Sequence, residues 1–164
     1  MHISATAALW FAPLILPVCA WVAWSDLRYM KIPNKAVMTM VIIYIAIGLI
    51  VLPLDIFAWR LVHLAVVLLV GIVLNAVGVL GAGDAKFAAA AAPFIAIGDL
   101  QLVLMILAGM MIAGYAIHRI AKHTALRRLA PHWESWTREG KYPMGLSLGG
   151  AMAAYLLLGA AYGA

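Results

Sequence analysis

Ala36-Val-Met-Thr-Met-Val-Ile-Ile-Tyr-Ile-Ala-Ile-Gly-Leu-Ile-Val-Leu-Pro-Leu54 carries no charged side chain. At about 1.5 Å per residue, a helix of that length approaches the ~30 Å of a bilayer's hydrocarbon. Comparable runs cover 6–24, 57–80, 100–117 and 144–162. Across its 164 residues the chain is 67% hydrophobic and only 10% charged, whereas a soluble domain is about one quarter charged. Too little polar surface exists to coat a globule. The expected fold is therefore all-α, a polytopic membrane bundle of about six transmembrane helices in one domain spanning 1–164.

One segment is harder to place. The stretch 85–97 is rich in alanine and broken by Pro93. As a helix it would extend only about 20 Å, short for a crossing. Charge distribution decides its reading. If 85–97 crosses, Arg28, Lys31, Lys35, Lys86 and the basic residues of the loop 118–142 share one side, leaving only Arg60 opposite. The positive-inside rule makes the basic side cytoplasmic and places both termini outside. Asp26 and Asp84 then fall at the same membrane face. No Lys or Arg precedes the first apolar run, which argues against a signal peptide and for a retained helix.

Local chemistry fits these boundaries. Pro33 and Asn34 suit the entry to a second helix, and Pro143 suits the entry to the last. Gly81 and Gly83 allow a tight turn and close approach before Asp84, which is placed to cap the short helix. Gly145 and Gly149 have the small-xxx-small spacing of close helix packing. Asn75 is expected to bond between helices. In the loop 118–142, Leu126, Leu129, Trp133 and Trp136 recur among arginines, a composition suited to an anionic membrane surface. The bilayer explains that basic charge, so no nucleic-acid partner is expected. Cys19 stands alone, so neither a disulfide nor a cysteine metal site is expected. Gly81-Ala-Gly-Asp84 lacks the glycine spacing of a dinucleotide loop. No cofactor is expected.

A carboxylate at a bilayer edge is costly to keep ionised, so two at matching depth suggest a shared site. Two nearby carboxyls resist ionising together and hold one proton between them. Such a pair hydrolyses an amide by activating water with one member and polarising the carbonyl with the other. Each aspartate also has a plainer reading: Asp26 as an ion-pair partner of Arg28, Asp84 as a helix cap. Lys86 alone reads as a snorkelling lysine. Ser25 reads as a local hydrogen-bonding residue, and His63 lies near the opposite face beside Arg60.

Asp26-Leu-Arg-Tyr-Met-Lys-Ile-Pro-Asn34 resembles the first signature of the type IV prepilin peptidases, and Gly81-Ala-Gly-Asp-Ala-Lys86 their second, Gly-x-Gly-Asp-x-Lys. Tyr142-Pro-Met-Gly145 is similar to a further family segment. The resemblance implies a membrane aspartyl endopeptidase of the bacterial inner membrane, with Asp26 and Asp84 catalytic at the cytoplasmic face. It implies site-supporting or substrate-binding roles for Gly81, Gly83, Lys86, Pro33, Asn34 and Gly145. Its substrates would be prepilins or pseudopilins, each with a short basic leader, a cleavage site usually after glycine, and then an apolar helix. Larger members also N-methylate the product and carry an extra cytoplasmic domain with paired Cys-x-x-Cys motifs. Without those cysteines, this chain resembles the short form of tight-adherence (Flp) pilus systems, which implies cleavage without methylation. The same two aspartates would also serve a preflagellin or signal-peptide peptidase. A small proton-coupled transporter is the reading outside proteolysis, although transport sites usually lie at the bilayer midplane.

Overall fold

The computed structural model describes residues 1–138 and 141–164, so Glu139 and Gly140 of the expected 118–142 loop lie outside it. Six α-helices follow in order: α1 (Ala5–Tyr29), α2 (Asn34–Val51), α3 (Leu54–Ala76), α4 (Ala82–Ala91), α5 (Leu100–His123) and α6 (Met144–Tyr162). No strand occurs among the described residues. All but α4 are long and apolar enough to cross a membrane, and the chain is a multi-pass membrane protein.

The core is the seam between α1 and α6. Glycines on one face of α6 set its spacing. A Cβ on Gly149 would lie 2.8 Å from the Cys19 carbonyl oxygen, and one on Gly159 would lie 2.8 Å from Ile3. Hydrophobic transfer gives little drive for helix association in lipid, so close backbone packing of this kind supplies it. The helix α1 continues through Pro13 and Pro17. Phe11, Tyr44 and Phe94 join α1, α2 and the α4 segment through aromatic contacts at 4.9–6.1 Å.

The short segment runs the length of the bundle. At one end Gly83 packs on Ile32, beyond the C-terminus of α1. At the other, the Asp99 carboxylate accepts the His2 and Ile3 amides at 2.8 and 3.0 Å, beside the N-terminus of α1. It covers this distance as α4 followed by 3-10 turns at Ala92–Phe94 and Ile97–Asp99, which rise more per residue than an α-helix. Its loosened backbone is satisfied from inside the protein, as lipid requires. Buried Arg60 donates to the Pro93 and Phe94 carbonyls, and the Ala96 amide donates to Tyr155 Oη.

Four expectations need correction. Asp84 does not cap α4: Gly81 is the N-cap residue, and Asp84 lies in the first turn. Asn75 bonds locally to the Leu80 carbonyl, closing the turn that ends α3 four residues before the apolar run does. There Gly78 takes a left-handed φ of 77°, open to glycine without steric cost. The segment 118–142 is not all loop, since α5 continues to His123. Within it Trp136 is buried rather than laid on a surface. It stacks on His118 at 4.9 Å and donates to the Ala130 carbonyl.

Candidate active site

Asp26 lies near the C-terminal end of α1, three residues before the helix stops at Tyr29. The stop is made by Met30, which takes a left-handed conformation (φ 52°) and returns its amide to the Asp26 carbonyl at 2.9 Å. That conformation strains a residue with a Cβ. The Ser25 hydroxyl supports the turn by donating to the Lys31 carbonyl at 2.9 Å, the local role expected of it. The chain then reverses through Ile32 and Pro33, and α2 begins at Asn34 with Pro33 as its N-cap residue.

The second motif enters from α4. A Cβ on Gly83 would lie 3.3 Å from Ile32 Cβ, so the glycine lets the two backbones approach. Three residues further on, Lys86 Nζ donates to Asn34 Oδ1 at 3.3 Å. The two signature strings therefore meet twice, Ile32 on Gly83 and Asn34 on Lys86. The Asp84 carboxylate folds back over Gly81, where a Cβ would lie 2.5 Å from Oδ2.

Together these residues line an open cleft of about 690 Å³. Asp26, Asp84, Gly81, Gly83, Lys86, Pro33 and Asn34 all face it. Gly145 does not line the cleft but sits behind Asp26, donating its amide to Asp26 Oδ2 at 2.6 Å. Gly145 lies in the first turn of α6, so Asp26 faces the positive end of that helix. A Cβ at Gly145 would fall 2.8 Å from Asp26 Cβ.

Asp26 is buried and does not pair with Arg28, whose guanidinium stacks on the Trp24 and Tyr29 rings at 5.1 and 5.0 Å. Asp84 accepts no hydrogen bond from the described residues; it is partly withdrawn from water and lies within reach of the charge on Asp26. Two carboxyls in that relation hold one proton more readily than none.

Three contributors escaped the sequence reading. Trp21 and Trp24 form an apolar wall of the cleft, five and two residues before Asp26. Their spacing along an apolar helix is indistinguishable from that of lipid-facing tryptophans. Ser147 was the third. Its hydroxyl donates to the Met110 carbonyl at 2.9 Å and meets Tyr142 Oη at 2.7 Å, fastening the start of α6 to α5. Burial pushes the Tyr142 phenol above its ordinary range, the Ser147 hydrogen bond acts in the opposite sense, and the charge on Asp26 reinforces the rise.

The described residues contain no cluster of three or more metal-ligating side chains. A family model of the type IV leader peptidases matches residues 13–117, which include Asp26 and Asp84. No curated protein and no solved structure matches the chain.

Proposed function

The chain belongs to the type IV leader peptidase family, and from that premise we propose that Asp26 and Asp84 are its catalytic pair. The observation that carries this reading is their position across one cleft, at the point where the two signature strings touch. Asp26, held by the Gly145 amide at a helix N-terminus, is the carboxylate and general base. Asp84, which no described donor engages, carries the shared proton.

Water attacks the scissile carbonyl carbon and gives its proton to Asp26. Asp84 donates its proton to the carbonyl oxygen. As the C–N bond breaks, the proton on Asp26 passes to the departing amine and Asp84 regains its own. Both carboxyls return to their starting states, and no covalent enzyme intermediate forms.

The substrate is a prepilin-type precursor whose basic leader is removed at the cytoplasmic face of the bacterial inner membrane. The grouping of Arg28, Lys31, Lys35 and Lys86 around the two motifs supports that orientation. We place the chain with the short, Flp-type peptidases that do not methylate. Only four residues, Met30 to Pro33, separate α1 from α2, leaving no room for the cysteine-bearing domain of larger members.

The test is co-expression with a prepilin and measurement of leader removal by mass. Asp26→Asn and Asp84→Asn are each expected to abolish it; wild-type processing by either variant would sink the assignment.

A further inference from the structure

A second concavity, about 560 Å³, lies on the flank of the bundle. Its floor is α4 and the turn that follows, its sides are α3 and α5, and α6 closes its base. The sides stand apart. Of α5 only Gly114 and His118 are buried, and of α3 only Arg60 and Gly71. The rims are apolar and open: Val66 is 50% exposed on one side and Leu104 55% on the other. His63 and Tyr155 are the lining residues with polar side-chain atoms, apart from the indole of Trp59.

We propose that this groove seats the apolar helix of the substrate and so delivers its scissile bond to Asp84. The inference rests on the leader-peptidase reading and adds to it a docking surface. Three observations favour a helix as the occupant. First, Asp84, Ala88 and Ala91 recur at four- and three-residue spacing, so the helical stripe that bears the carboxylate continues as the groove's floor. Ala88 is one turn, about 6 Å, beyond Asp84. Second, alanines make up much of that floor, Ala88, Ala91, Ala92 and, from α6, Ala151, beside the larger Phe87 and Ile95. Small side chains let another helix's backbone approach closely, the contact that drives helix association in lipid. Third, the groove runs along the short segment that spans the bundle, so a helix in it would cross the bilayer beside α4.

The geometry then acts as a ruler. An apolar helix held against the alanine floor stays in the bilayer, and the residues just before it emerge at the level of Asp84. The point where the apolar helix begins then helps to set the position of the cut, together with the residues around the scissile bond.

The test places the photo-cross-linker p-benzoylphenylalanine at Leu104, at Val66, or at Ile42, which is 61% exposed on α2 away from the groove. Each variant also carries Asp84→Asn to keep the substrate intact. The probe is a synthetic precursor in liposomes, with a short lysine-rich leader ending in glycine and an apolar helix of about 20 residues. Adducts to the precursor are expected at Leu104 and Val66, about ten-fold above Ile42. Equal yields at all three positions, adducts to phospholipid alone, or adducts to a second copy of the chain would each overturn the proposal. A kinetic arm uses Leu104→Trp in the otherwise native protein. Crowding the groove is expected to raise KM for the precursor about ten-fold with kcat within two-fold, the pattern of lost substrate binding. An unchanged KM would count against the groove. Absence of cleavage by the native protein would instead remove the peptidase reading, while the cross-linking arm would still decide whether the groove takes a helix.

Discussion

The two ends of the bundle treat their carboxylates in opposite ways. Asp99, at one end, is buried and accepts three hydrogen bonds, from the His2 and Ile3 amides and from Tyr155 Oη at 3.0 Å. At the other end Asp26 accepts one, from Gly145, and Asp84 none from the described residues. A carboxylate surrounded by donors is fixed in charge and position, and it holds a structure together. One that faces an open cleft with lone pairs unused remains free to bind water or move a proton. All three residues lie at the ends of apolar segments, so their positions in the sequence do not separate them. Their hydrogen-bond inventories do.

Exchanging the two kinds of site is the strongest way to break this contrast. Asp84→Asn is expected to lower the rate of leader removal by about 10³-fold or more, the scale of a lost acid–base group. Thermal unfolding in detergent should hardly move, because no described hydrogen bond is lost. Asp99→Asn should do the reverse. An amide NH2 cannot accept a hydrogen bond, so at least one of the three donors loses its partner, a cost of about 1–3 kcal/mol. Cleavage per folded molecule should stay within about two-fold, since the residue is remote from any chemistry. A stable Asp99→Asn protein with no activity would erase the distinction between the ends.

Gly145→Ala probes the one donor that the Asp26 carboxylate has among the described residues. The added methyl would fall 2.8 Å from Asp26 Cβ, so the carboxylate must shift. A displacement approaching 1 Å in a reacting group is expected to slow cleavage about 10²-fold, as measured on a purified precursor. A rate within two-fold of the native one would show that the Gly145 contact does not position Asp26.

Tyr155→Phe sharpens the opposite end. It removes the hydroxyl that joins Asp99 to the Ala96 amide, and should cost about 1–2 kcal/mol of stability while kcat per folded molecule stays within about two-fold. The smallest effect is expected from Asn34→Ala. Its 3.3 Å bond with Lys86 is exposed, so loss of the pair should cost less than about 0.5 kcal/mol and change cleavage only a few-fold.

Hydropathy alone made the helices legible. Even so, α1 and α5 extend beyond their apolar runs, to Tyr29 and His123. Helix ends depend on hydrogen bonds such as that from Met30 N to Asp26 O, which apolarity does not report. The short segment was legible as an anomaly whose reach depended on its partners. Pro93 and the 3-10 turns are tolerable in lipid because Arg60 and Tyr155, from α3 and α6, satisfy the freed backbone groups. Arg60 had been legible only as an isolated positive charge. The loop tryptophans misled because their spacing fits a surface helix, whereas Trp136 finds a buried partner in His118.

By itself, the sequence determined that this chain lives in a bilayer, because 67% apolar residues cannot be covered with 10% charged ones. It also determined which strings bear the family's signature. Only the tertiary structure decided that those strings touch, Ile32 on Gly83 and Asn34 on Lys86, and that Asp26 and Asp84 open onto one cleft. The reason is physical. A motif records residue types along one chain, whereas a site depends on distances between helices. Those distances depend on side chains that are missing, above all at Gly145, where a Cβ would lie 2.8 Å from Asp26 Cβ.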